Sequence, residues 1–83
     1  MIGGINMGEL APYKLRFIKE YEELDGRVKK LDAMLKKYDE GTLDFTPTCP
    51  IELLQEQSRT MKVYRAILEK RAAIEDVPLP SAE

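Results

Sequence analysis

Seven residues of this chain have the types and the placement to hold a small anion with an aromatic part: Tyr13, Lys14, Arg16 and Phe17 near one end, Ile67, Lys70 and Arg71 near the other. A guanidinium forks onto phosphate oxygens with two parallel hydrogen bonds, and an aromatic ring offers a face on which a base can stack. A hairpin folded around residue 45 sets these two groups level with each other at its open end. Three polar residues also stand on or beside apolar stripes: Gln57, Arg71 and Glu20. One polar residue in a helical seam often fixes register or oligomeric state, and an arginine close to a helix end can reach past its neighbours into water. Each of these residues therefore has a structural reading beside a ligand-binding one.

Catalysis has little to work with. The chain holds no histidine and one cysteine. Nucleophilic mechanisms need a base next to the nucleophile, and Cys49 has no charged residue nearer in sequence than Asp44 and Glu52. A thiol at a helix start can have a lowered pKa, but capping is the simpler role there. The carboxylate pairs Glu22-Glu23 and Asp39-Glu40 read as solvated faces, since a glycosidase-type pair needs a cleft that two helices do not make. The expectation is a protein that is not an enzyme, with no cofactor and no metal site.

The elements that must position these residues follow from spacing. Phe17, Tyr21, Leu24, Val28, Leu31, Leu35 and Tyr38 step by four and three. Leu54, Gln57, Met61, Tyr64 and Leu68, followed by Arg71 or Ala72, step by three and four. That is the period of a coiled-coil seam, and strands cannot use it. The fold class is all-α, an antiparallel two-helix hairpin resembling a coiled coil. Helix 1 opens at Pro12, a favoured first helical residue, and runs to about Glu40 before Gly41, some 40 Å at 1.5 Å per residue. Residues 41–49 connect, with Phe45 expected to plug the closed end. Helix 2 spans about 50–76, opening at Pro50 with Cys49 or Thr48 as cap; Pro78 and Pro80 prevent extension. Residues 1–11 read as a loose arm and 77–83 as a short polar tail. If Gly3-Gly4 is encoded GGAGGA, a ribosome-binding sequence lies ahead of Met7, which is then the alternative to Met1 as the native start.

With 83 residues, one domain of two helices is too thin to be complete by itself. Helix 2 carries more apolar surface than one antiparallel partner can cover. Leu53, Thr60, Val63, Ile67 and Ile74 lie beside its main seam, and Leu53, Val63, Ile67 and Ile74 are the candidate oligomer interface. The expected assembly is a homo-oligomer. A net charge of −2 argues against duplex nucleic acid as a partner, which needs a basic surplus, though a local cationic cluster suffices for a small anion. The mostly basic stripe Arg16, Lys19, Arg27, Lys30 and Lys37 is interrupted by Glu23 and reads as an ion-paired face. No apolar run approaches the roughly 18 residues of a membrane span, and a lone cysteine suits a reducing cytoplasm.

The sequence also resembles a family of small helical phage proteins typified by one from a crAss-like phage. The likeness runs from Tyr13-Lys14-Leu15-Arg16-Phe17-Ile18-Lys19-Glu20 through Glu23-Leu24 and Lys30-Leu31. It resumes at Leu53-Leu54, Gln57, Met61, Tyr64, Leu68 and Arg71, so that it covers residues 13–72. The chain departs from the pattern at Ala72-Ala73, where a β-branched residue usually follows the arginine, and in its N-terminal arm. The resemblance implies an accessory phage protein acting in the infected host. By analogy of size, origin and architecture it extends to oligomeric sponges that sequester the cyclic nucleotides of bacterial immune signalling. On that reading the protein is a homo-oligomer, a tetramer by expectation, that takes a cyclic di- or trinucleotide without cleaving it. Arg16 and Arg71 would clamp phosphates, Tyr13 and Tyr64 would stack on or edge the bases, and Gln57 and Glu20 would read base or ribose hydrogen bonds. The alternative is a protein-binding module that docks Val63, Ile67 and Ile74 on a host or phage protein. A scaffold coiled coil is the third reading.

Overall fold

A computed structural model describes residues 10–80 of the chain, which form two α-helices packed against each other. The first, α1, is Pro12–Glu40 and the second, α2, is Ile51–Glu75. The question of a start at Met7 falls outside the described residues. Pro12 takes the first helical position, where its missing N–H costs nothing. Gly41 ends α1 at φ 74°, a left-handed conformation that a glycine adopts without strain, and the Thr42 N–H closes the end by donating to the Lys37 carbonyl at 2.9 Å. Pro50 sits one residue before α2 rather than inside it. Its carbonyl accepts from the N–H groups of Leu53 and Leu54, no side chain caps the helix, and Cys49 is exposed.

The end of α2 uses the same device with a less suited residue. Asp76 is left-handed at φ 61°, and the Val77 N–H donates to the Ala72 carbonyl at 2.9 Å. This turn drives Val77 back into the core, where it is 6% exposed, and Leu79 packs on the same cluster. Val77 and Leu79, within the segment expected to be a polar tail, thus belong to the packing. Leu10, just ahead of α1, also packs against the cluster.

The core is lopsided. Phe17, Ile18, Tyr21, Leu24 and Val28 of α1 meet Leu68 and Ala72 of α2 at the open end. Toward the closed end Leu31, Leu35, Ile51 and Leu54 are only half-buried, because two helices offer no third layer to cover them. Phe45 was expected to plug this end; it stays 55% exposed beside a shallow concavity of about 230 Å³ that Tyr38, Leu43 and Pro47 also line.

The seam on α2 differs from the expected one at two layers. Every residue of α2 that is not exposed falls on Ile51, Leu54, Ser58, Met61, Arg65, Leu68, Ala72 and Glu75, stepping 3-4-3-4-3-4-3. Gln57 and Tyr64, expected in this seam, are exposed, and Ser58 and Arg65 take their places. The reason lies across the interface. Asp25 and Asp32, one heptad apart on α1, need polar partners once they face α2. Arg65 donates to Asp25 at 2.8 Å and Ser58 donates to Asp32 at 2.6 Å, while Lys62 pairs with Asp32 at 2.8 Å and Lys29 with Asp25 at 2.9 Å. The Tyr21 hydroxyl donates to Glu69 at 2.6 Å, and Lys14 donates to the Asp76 carbonyl at 3.2 Å. In each of the cross-helix pairs Tyr21 with Glu69, Asp25 with Arg65, Asp32 with Ser58 and Lys14 with Asp76, the two residue numbers add to 90. Four bonds thus state one antiparallel register.

Hydrogen bonds from Lys29 and Arg65, opposed by burial, hold Asp25 below the usual carboxylate range; Lys62 and Ser58 do the same for Asp32. Unfolded, both carboxylates titrate near pH 3.9, so in the window just below that pH the unfolded chain binds more protons than the folded one. Their contribution is complete above about pH 4 and is lost as the pH falls through the folded-state values. Arg65→Ala should cost about 2 kcal/mol at pH 7, since it strips a nearly buried carboxylate of a partner, and clearly less at pH 3. Thermal melts of the two proteins at both pH values check this; an equal cost at both would refute it.

Burial, reinforced by the Glu69 hydrogen bond, pushes the Tyr21 phenol up to about 12. The folded state therefore loses stability as the pH rises from about 10, the ordinary tyrosine value, to 12. In a spectrophotometric titration of the folded protein, one of the four tyrosines should ionise late, and Tyr21→Phe should remove that phase.

Candidate ligand site at the open end

The antiparallel register brings the last turns of α2 beside the first turns of α1. Phe17 is buried there at 8% exposure, and the Arg71 guanidinium lies over its ring, 4.8 Å from the centroid. An arginine stacked on an aromatic face is attracted by the ring quadrupole and loses little hydration in doing so. The Arg71 Nε donates to Glu75 one turn on, at 2.9 Å, and this bond pushes the guanidinium pKa up from an already high value. Arg71 is therefore a fixed positive charge, gripped on one face and at Nε. Among the described residues its two terminal amino groups have no further partner, and half of the side chain is open to solvent. Those groups form the fork that a phosphate uses.

One heptad back on α2, the Tyr64 hydroxyl donates to Glu20 at 3.3 Å. This long contact joins the two helices on the Arg71 side, with Tyr64 42% exposed. Arg16 is exposed on the turn between Tyr13 and Glu20, and Tyr13 is 47% exposed at the start of α1. Lys14 completes the cationic rim through its bond to the Asp76 carbonyl.

Of the six residues expected to touch a ligand, the fold gathers Tyr13, Arg16, Glu20, Tyr64 and Arg71 at the open end. Gln57 stands apart. It is exposed, two heptads before Arg71, a separation of about 21 Å along the helix. Phe17, read in the sequence as part of the open-end cluster, serves as the platform under Arg71. Glu75, which orients the guanidinium, went unread in the sequence; its i,i+4 spacing from Arg71 was the available signal. Leu53, Val63, Ile67 and Ile74 of the candidate interface are 54%, 61%, 47% and 84% exposed in the single chain. Among the described residues no group of histidine, cysteine, aspartate and glutamate side chains could hold a metal ion, and no helix is long and apolar enough to cross a membrane.

A family model described as Sequestin matches residues 11–74, most of the chain and nearly all of both helices. The chain belongs to the Sequestin family. The name points to a protein that sequesters what it binds; it does not bear on the likeness to a crAss-like phage protein in particular. No curated protein and no solved structure matches the chain. The matched segment contains the Phe17–Arg71 stack, the Tyr64–Glu20 contact and the carboxylate ladder, and it stops one residue short of Glu75.

Proposed function

We propose that this Sequestin is a non-catalytic sponge that captures a cyclic nucleotide of bacterial immune signalling and keeps it from its effector. The observation that carries the reading is Arg71: a guanidinium clamped on Phe17 and by Glu75, with its phosphate-binding fork turned to solvent beside Tyr64. Pre-ordering an arginine in this way removes part of the entropy cost of binding an anion. Arg16 and Lys14 add charge at the same end, and Tyr13 and Tyr64 offer rings for the bases of a cyclic di- or trinucleotide. Glu20, which already accepts from Tyr64, suits a base or ribose donor. Capture without chemistry agrees with the absence of histidine from the sequence, which leaves the exposed Cys49 without the usual base. The protein works as a homo-oligomer, a tetramer on this reading, in the cytoplasm of the infected bacterium.

The test is retention. Purified protein is mixed with cyclic di- and trinucleotides and cyclic ADP-ribose isomers and removed by filtration, and the ligand left free is measured. Heat denaturation then releases what was held. Depletion of one ligand with intact recovery is expected. Arg71→Ala and Arg16→Ala should each weaken retention by about 10- to 100-fold, the value of one charge-assisted phosphate contact, with helicity unchanged. No depletion across the panel would overturn the proposal. A second reading, a module that docks on a host or phage protein, draws on the 84% exposure of Ile74 and would then take its place.

A further inference from the structure

The exposed side of α2 carries a second seam of its own. Leu53, Gln57, Thr60, Tyr64, Ile67, Arg71 and Ile74 step 4-3-4-3-4-3, and all seven are exposed. No residue of this stripe belongs to the seam that α1 covers, which runs through Leu54, Ser58, Met61, Arg65, Leu68 and Ala72. A helix with two complete seams is built to be flanked on two sides. Its outer border is the heptad column Glu56, Val63 and Lys70, also exposed. In this column an acidic residue and a basic one stand at equal distances on either side of an apolar residue.

We infer that the second seam of α2 packs against the same seam of a second copy of this chain, antiparallel, about a two-fold axis beside Val63. The charge order selects this occupant and this direction. Antiparallel pairing centred on Val63 places Glu56 opposite the partner's Lys70 and Lys70 opposite the partner's Glu56, with Val63 facing its own copy. Parallel pairing sets each charge level with its own copy. A two-fold contact is isologous, so one self-complementary column satisfies both subunits. The apolar surface left uncovered by α1, Leu53, Val63, Ile67 and Ile74, is then buried in the pair.

This arrangement also accounts for Gln57. In one hairpin it lies about 21 Å along the helix from Arg71, too far to share a small ligand. The two-fold places the partner's Gln57 level with Glu69, between the seam residues Ile67 and Arg71. Each open-end site is then completed by the other subunit, and a dimer holds two equal sites. That last step rests on the open end being the ligand site; the pairing itself does not.

Cysteine cross-linking tests the pairing without any ligand. In a Cys49→Ser background, Val63→Cys, Leu53→Cys and Ile74→Cys are each treated with a short bismaleimide. The expected result is efficient cross-linking of Val63→Cys with itself and none of Leu53→Cys or Ile74→Cys alone. A mixture of the Leu53→Cys and Ile74→Cys proteins should cross-link to each other. Self-cross-linking at all three positions would mean parallel pairing, and none at any position would mean that no second copy sits on this face; either overturns the inference. Charge exchange provides a second readout that keeps the apolar stripe intact. Glu56→Lys alone and Lys70→Glu alone should each weaken dimerisation several-fold by sedimentation, and the two together should restore it. Equal weakening by the double variant would also refute the pairing. Cross-linking without nucleotide retention would leave the pairing standing and remove the sponge, while retention without cross-linking would do the reverse.

Discussion

Asp25 is the constraint on which the structure turns. A carboxylate on the buried face of a thin hairpin must be met by donors, because an unpaired charge there costs more than the few kcal/mol that a chain of this size has in reserve. Arg65 and Lys29 meet it, and one heptad away Ser58 and Lys62 meet Asp32 in the same way. Apolar layers such as Leu24 or Leu68 tolerate a slide of one helix along the other, since one heptad contact resembles the next. The polar layers do not. A slide of one heptad would bring Asp32 to Arg65 or Asp25 to Ser58 but leave the other carboxylate facing Ala72 or Ile51, so the ladder selects a single alignment of α1 with α2.

That alignment builds the open end. It is what sets Phe17 under Arg71 and Glu20 against Tyr64, and the return of Val77 through the left-handed Asp76 seals the core beneath them. The apolar residues concentrate at this end, where Phe17, Tyr21 and Leu68 are almost fully enclosed, while the closed end stays half-open. The hairpin is therefore most rigid where its cations and rings are gathered. A rigid platform favours capture, because groups already ordered lose little freedom when a ligand arrives.

Much of this could be read from the residues. Pro12, Gly41 and Pro50 punctuate the chain, and the 3-4 spacing between them admits only helices. The open-end meeting of Phe17 with Arg71 followed from hairpin geometry alone. The seam of α2 was less legible, because α2 carries two seams one residue apart. Periodicity sees apolar side chains, so it preferred the aromatic Tyr64 to the charged Arg65, and Gln57 to Ser58. Only the facing carboxylates of α1 distinguish the two, and they become visible once the register is known. Asp76 gave no signal either, since aspartate is a rare choice for a left-handed helix end. Phe45 was misread for a different reason: a large apolar residue in a loop needs a covering layer, and two helices do not provide one.

The central claim is that the polar ladder, and not the apolar packing, selects the register. It is tested most directly by a distance between spin labels at Lys19 and Lys70, both exposed and on opposite helices at the open end, in a Cys49→Ser background. The measurement is made with the ladder intact and with Asp25→Leu, Asp32→Leu, Arg65→Leu and Ser58→Ala combined. The intact protein should give one narrow distance. The apolar variant should remain helical yet give a broadened distribution, or a second distance displaced by about 10 Å, one heptad of rise. A single unchanged distance in the apolar variant would contradict the claim and assign the register to the connection and the apolar core.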